Sequence, residues 1–176
     1  VKVFEKTQNV GGKAGTLTLE GGFRFDTGPS LLTLPKLIDE IFIETGKDPR
    51  DYWNYRQLET QSKNFFSDGT VVNAFADREK FGNEIEKNTS DSAVSLYKYL
   101  EYCNKIYKIA APVFMFNPIH RFETYLKPRV IKKIHQFVQI DAFRSVWDSL
   151  DSKFSDYKTK QIFARASTFN GSSPFL

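Results

Sequence analysis

The chain has 176 residues, a net charge of +4, 40% hydrophobic residues and 26% charged residues. This balance belongs to a globular chain and excludes a disordered one. It contains no run of about 18 apolar residues, so no transmembrane helix is expected. Cys103 is the only cysteine, which excludes an intramolecular disulfide and a cysteine-based metal site and suits a reducing compartment. The lysines are dispersed, with Lys127-Pro128-Arg129 and Lys132-Lys133 as the densest basic runs. A solvated surface or an anionic membrane accounts for such a mild excess, and no nucleic-acid partner is expected. The 17 Phe, 8 Tyr and 2 Trp suit a large core and equally an apolar substrate tunnel.

In chain order, Val1, Val3 and Phe4 read as a strand stopping at Glu5. Thr16–Leu19 and Phe23–Phe25 flank Gly21-Gly22 as a hairpin. Pro35 opens a helix with Leu37, Ile38, Ile41 and Phe42 on one face, and Gly46 follows its last turn. Past Asp48-Pro49-Arg50, the strand candidates are Gln57–Thr60, Asn64–Phe66 and Thr70–Phe75, with Asp68-Gly69 as a hairpin turn. Helical periodicity then takes over. Asp77 is a candidate N-cap, although Lys80 replaces the Glu of a capping box. Ala93, Leu96, Tyr97, Leu100, Cys103, Tyr107 and Ala110 form a stripe with Asp91 positioned to cap it and Ala111-Pro112 limiting it. Val113–Ile119 is a short apolar run, either a core turn or a patch dipping into a membrane. Phe143, Val146, Trp147, Leu150 and Phe154 form another stripe. Ile162, Phe163 and Ala166 start the last, after Asp156. The composition shift near residue 54 divides the chain into 1–54 and 55–176.

The candidate site residues lie mostly in the first part. An acid closing the second strand of a nucleotide-binding sheet accepts hydrogen bonds from a ribose hydroxyl, and Glu5, followed by Lys6, stands at that place. Gly11-Gly12 permits positive φ and close approach of a ligand, and Lys13 suits a pyrophosphate. Alone, Gly11-Gly12-Lys13 is a tight turn with a solvated lysine. Gly28-Pro29-Ser30 brings bare amides and a hydroxyl to one point, or is a plain turn leading towards Pro35. Asp26 is read as satisfying local amides, and Arg24 as solvated or ion-paired. The order Glu5, Gly11-Gly12-Lys13, Gly28-Pro29-Ser30 favours a dinucleotide-binding α/β domain. Its first strand, Gly-x-Gly-x-x-Gly loop and helix would take about 30 residues before Val1. The chain is therefore expected to be a fragment that binds the dinucleotide weakly or not at all. His120 and His135 are isolated, no metal site is expected, and no general base is identified.

The runs Val3-Phe4-Glu5-Lys6, Gly11-Gly12-Lys13 and Gly22–Thr33 resemble the start of the phytoene desaturase family of FAD-dependent carotenoid oxidoreductases. Phe65–Thr70 and Phe163–Phe175, with its Asn170-Gly171-Ser172-Ser173-Pro174 run, extend the resemblance across the chain. Leu31-Leu32-Thr33 and the Phe65–Thr70 hairpin lean towards the hydroxycarotenoid 3,4-desaturase branch. The resemblance implies an α+β fragment of an α/β flavoprotein. A partial Rossmann-like FAD domain (1–54) would precede a β hairpin and a mostly helical, substrate- and membrane-facing portion (55–176). It implies FAD as cofactor, desaturation of a long apolar carotenoid, and a cytoplasmic protein peripheral to the membrane. Glu5 and Lys6 would lie at the ribose, Gly11, Gly12 and Lys13 at the pyrophosphate, and Gly28, Pro29 and Ser30 near the flavin. Arg165, Asn170 and Ser172 would line the substrate, although a surface ion pair for Arg165 and a plain turn for the others stand beside that. A flavin amine oxidase relative and a non-catalytic isoprenoid-lipid or membrane-binding module remain alternatives.

Overall fold

In a computed structural model of the chain, residues 2–118, 120–128, 130–131, 136 and 139–176 are described, Asn170 by its backbone only. The chain divides into two compact units, Val1–Arg56 and Gln57–Leu176.

The first unit is mostly turns. Strands β1 (Thr16–Thr18) and β2 (Arg24–Asp26) pair antiparallel, with Leu17 opposite Phe25. The strand expected over Val1–Glu5 does not form. Lys2–Glu5 carry no sheet pairing and Val1 lies outside the described residues. A strand is held by a neighbour's ladder, and Val3 and Phe4 face none, standing 80% and 91% exposed. Helix α1 (Pro35–Glu44) starts at its proline, and the amides of Gly46 and Lys47 close its end on Ile43 and Phe42. Asp48 caps the 3-10 turn Pro49–Asp51 by accepting from the Arg50 amide at 2.8 Å. Arg50 pairs with Asp39 and lies over the rings of Trp53 and Tyr55. None of the described residues of this unit is buried.

The second unit holds the core. Strands β3 (Thr60–Phe65) and β4 (Val71–Phe75) form an antiparallel hairpin through Asp68-Gly69. The two strands expected before that turn are one, beginning at Thr60. Helix α2 (Arg78–Asn88) is capped by Asp77, which accepts from the Lys80 amide at 2.8 Å. Helix α3 (Ala93–Ala110) is capped by Ser92, not Asp91. Asp91 is buried and instead accepts from the Ser155 amide and hydroxyl, both at 2.8 Å, and from the Asp156 amide. Asp156 in turn accepts from the Ser90 amide and caps helix α6 (Tyr157–Ala164). The two aspartates thus lock the α2–α3 turn to the head of α6, a pairing that only the tertiary fold creates.

Past α3 a π-turn covers Ala111–Met115, followed by the short helix α4 (Glu123–Leu126). Helix α5 spans only Val146–Asp151, with Ser145 as its cap. The helical stripe read from Phe143 is cut there. Ser145 is extended, at φ −65° and ψ 155°, so the helix can begin only after it, and Phe143 is fully exposed. Val72, Phe81, Ile85 and Leu96 form one buried cluster, and Leu150, Phe154 and Ala164 a second. Phe163 packs on both, its ring 4.6 Å from Tyr99 and 5.5 Å from Phe154. Two such contacts add about 1–3 kcal/mol beyond the area they bury.

Candidate functional site

The glycine turn of the first unit sets the geometry of the cofactor candidates. Gly11 takes φ 116° and Gly12 φ 53°, and a 3-10 turn over Gly12–Ala14 closes with the Ala14 amide donating to Gly11 O at 2.9 Å. Left-handed backbone costs a side-chain-bearing residue roughly 1–2 kcal/mol, which explains the two glycines. No atom stands within 4 Å of where a Cβ on Gly12 would be, so the space over this turn is open.

Gly28 is packed against the same turn. A Cβ there would stand 1.8 Å from Lys13 O and 2.8 Å from Lys13 C. Beside it, the Thr27 amide donates to Gly15 O at 3.0 Å. Chain segments fifteen residues apart are thereby brought into backbone contact, Gly11–Lys13 on one side and Gly28 on the other. Pro29 and Ser30 follow, both exposed. Glu5 is exposed and accepts from the Thr7 amide at 2.8 Å and the Thr7 hydroxyl at 2.9 Å. The Thr7 amide draws its carboxyl below the usual range. Glu5 is thus an ionised acceptor tied to its own turn. Lys6 and Lys13 are exposed.

This donor set fits a dinucleotide in part. Exposed amides and Lys13 suit a diphosphate, and a carboxylate suits ribose hydroxyls. The residues that would hold it are Glu5, Gly11, Gly12, Lys13 and Gly28–Ser30.

The substrate-lining candidates lie in the second unit. A 3-10 turn over Arg165–Asn170 continues α6, and Gly171 ends it at φ 68°. The Ser172 amide donates to Ser167 O at 3.1 Å. Arg165 and Ser172 are exposed, and the Asn170 side chain lies outside the described residues. Pro174 O accepts from the Trp147 amide at 2.8 Å, and the Phe175 ring lies 5.0 Å from Trp147. The Asn-Gly-Ser-Ser-Pro run is therefore a turn docked on α5. Arg24 and Asp26 sit on β2, and His120 is exposed. Ile119, Arg129, Lys132, Lys133 and His135 lie outside the described residues.

One polar cluster escaped the sequence reading. Tyr102 donates to Asp141 Oδ2 at 2.7 Å, and its hydroxyl lies 3.2 Å from Ser149 Oγ. Lys153 Nζ donates to Ser149 Oγ at 3.0 Å and lies 4.0 Å from the centre of the Tyr102 ring. Burial pushes Tyr102 and Cys103 up and Lys153 down, while the Tyr102 hydroxyl holds Asp141 low. The i, i+4 pair Ser149–Lys153 was visible in sequence, but its partners on α3 were not. The network ties α3 to α5. Cys103, read as core, is half-buried.

Among the described residues no group of three His, Cys, Asp or Glu gathers to hold a metal. No helix of the described residues is long and apolar enough to cross a membrane. A shallow groove of about 390 Å³ beside α3 is lined by Glu101, Asn104, Lys105, Lys108, Ile109, Gln136 and Gln139.

No protein-family model matches the chain. Curated proteins do match over its whole length. It is 36% identical over 176 residues to the 1-hydroxycarotenoid 3,4-desaturase of Flavobacterium sp. (strain P99-3), covering 100% of this chain and 36% of that protein. It is 29% identical over 175 residues to the 4,4'-diapolycopene oxygenase of Methylomonas sp, covering 99% of this chain and 35% of the relative. It is 26% identical over 174 residues to the carotenoid 3,4-desaturase of Haloarcula japonica, covering 99% and 34%. The chain thus spans about a third of the length of these relatives. Throughout that span it is homologous to the carotenoid desaturases and oxygenases, the family its Gly22–Thr33 and Asn170–Pro174 runs resemble.

Proposed function

We propose that this chain is part of an FAD-dependent carotenoid desaturase acting on a hydroxycarotenoid in carotenoid biosynthesis. The observation that carries this reading is the 36% identity to a 1-hydroxycarotenoid 3,4-desaturase across all 176 residues. Residues 1–54 would belong to a Rossmann-like FAD-binding domain, and residues 55–176 would begin the helix-rich substrate domain. Glu5, beside Lys6, accepts from the adenosine ribose. Gly11, Gly12 and Lys13 approach the pyrophosphate, their amides and ammonium donating to its oxygens. Gly28, Pro29 and Ser30 back that turn on the flavin side, where the contact of Gly28 with Lys13 keeps the two segments in register. Arg165, Asn170 and Ser172 would belong to the substrate side.

When bound, FAD would supply the acceptor for the hydride released from a C–H bond, while the neighbouring carbon loses a proton and the C–C single bond between them becomes double. The protein's part is to orient a long apolar chain and keep water away. A substrate of that kind dissolves in lipid, so the protein works at the cytoplasmic face of a membrane as a peripheral protein.

The names of two relatives favour a second reading, oxygenation at a carotenoid end, since they are a 4,4'-diapolycopene oxygenase and a 4,4'-diaponeurosporene oxygenase. Purified full-length protein distinguishes these readings. Flavin absorbance and a 1-hydroxycarotenoid product lighter by two hydrogens are expected. An oxygen-bearing product supports the second reading, turnover of an amine points to an amine oxidase, and a flavin-free protein inert towards carotenoids overturns both carotenoid readings.

A further inference from the structure

A group of the exposed apolar side chains of the second unit falls in the stretch that follows α3. The π-turn buries Ala111 and Val113 but leaves Phe114, Met115 and Phe116 about half exposed, and Phe122 is 74% exposed. Leu126 and Ile131 are exposed as well. The backbone beneath them is pinned. Asn117 Nδ2 donates to Pro112 O at 2.6 Å, the buried Thr124 hydroxyl donates to Pro118 O at 2.9 Å, and Lys127 Nζ donates to Asn117 Oδ1 at 2.7 Å. Val130 is buried, its amide donating to Lys127 O at 2.8 Å. The apolar side chains are therefore presented outward from a fixed scaffold.

The charge of this stretch is equally uneven. Residues 102–140 carry seven Lys or Arg, from Lys105 to Lys133, against the single acid Glu123, a net charge of +6. The whole chain is +4, so the remainder is −2. Of the seven, Arg129, Lys132 and Lys133 lie outside the described residues and enter as charge alone.

We propose that the exposed side chains of Lys105, Phe116, Arg121, Phe122, Leu126 and Lys127 form a membrane-docking face for an anionic bilayer. Phe116, Phe122 and their apolar neighbours enter at headgroup depth while Lys105, Arg121 and Lys127 meet lipid phosphates. The charge of the segment is complementary to such a surface. A polyanion such as RNA would use the lysines but leave Met115, Leu126 and Ile131 with nothing to bury. This inference rests on the peripheral-membrane reading above and locates it. It requires no flavin and no turnover, so it stands or falls separately from the desaturase assignment.

The test is co-sedimentation of the purified protein with phosphatidylcholine vesicles, with and without phosphatidylglycerol. Binding is expected with phosphatidylglycerol and should weaken with salt. Arg121→Gln should weaken it about fivefold, the worth of one basic residue near an anionic surface. The double variant Phe116→Ser/Phe122→Ser should weaken it at least about tenfold. Both variants alter exposed side chains, and their thermal unfolding should match the parent's. No vesicle binding, or unchanged binding in both variants, overturns the proposal. So does binding of an RNA duplex as strong as vesicle binding and indifferent to the phenylalanine substitutions.

Discussion

A Cβ on Gly28 would stand 1.8 Å from the Lys13 carbonyl oxygen, a separation no backbone tolerates. At Gly12 the same atom would meet nothing within 4 Å. Both glycines were singled out in the sequence for cofactor approach, but their local requirements differ. Gly12 is required by its left-handed conformation and Gly28 by a neighbour fifteen residues earlier. Gly28→Ala is expected to cost about 1–3 kcal/mol by forcing the two turns apart. Hydrogen exchange at the Thr27 amide, bonded to Gly15 O at 3.0 Å, should accelerate accordingly. Gly12→Ala should cost about 1–2 kcal/mol from backbone strain without parting the turns. Unchanged Thr27 exchange in Gly28→Ala would contradict this packing. The aspartates teach a related lesson. Asp77 and Asp91 both precede helical stripes, and only Asp77 caps one. Asp91 is taken by Ser155 and Asp156, 64 and 65 residues onward, partners that no local pattern announces.

Among elements, the β3–β4 hairpin was the most legible, because Asp68-Gly69 and the flanking apolar residues act within a few positions of each other. What the hairpin touches was not legible. Lys158 of α6 places its Nζ 2.6 Å from Asp68 Oδ2 and donates to Thr70 Oγ1 at 2.9 Å. Hydrogen bonds from Lys158 and then the Thr70 amide and hydroxyl hold the Asp68 carboxyl well below the usual carboxylate range. Its folded pKa is below the unfolded value of about 4, so on acidification the unfolded chain takes up the proton first. The contribution of ionised Asp68 is complete above about pH 5 and is lost progressively as pH falls through that value towards the depressed folded pKa. Asp68→Asn should lower the urea midpoint at pH 7 and narrow its difference from the parent at pH 3. Parallel curves for parent and variant across that range would exclude the linkage. The stripe from Phe143 to Phe154 shows the opposite outcome. Its spacing is helical, yet the helix starts only at Val146, since spacing does not register the extended backbone of Ser145, which caps it.

At the scale of the whole molecule, both buried clusters lie in Gln57–Leu176, while residues 2–56 contribute no buried side chain. A two-stranded hairpin with one helix supplies too little apolar burial for independent stability. A chain of residues 57–176 is therefore expected to unfold cooperatively with nearly the midpoint of the 176-residue chain. Far-ultraviolet circular dichroism in urea measures this, and a gradual, non-cooperative loss of helix would refute it.

The sequence by itself determined what depends on near neighbours. Pro35 starts α1, Asp77 and Asp156 cap their helices, Asp68-Gly69 turns the hairpin, and the apolar spacing of α3 makes it a helix. Other runs, Val3–Lys6, Gly11–Lys13, Gly22–Thr33, Phe65–Thr70 and Phe163–Phe175, carried the resemblance, which relatives matching over the whole of this chain bear out. Only the tertiary structure decided that Gly28 lies on Lys13, that Asp91 and Asp156 tie the α2–α3 turn to the head of α6, and that Phe163 joins two clusters. It also left Val3 and Phe4 without a strand partner. Caps, turns and periodicity act within about one or two turns of chain. Close backbone approach, buried carboxylates and sheet pairing depend on which distant surfaces meet, and that is settled by packing.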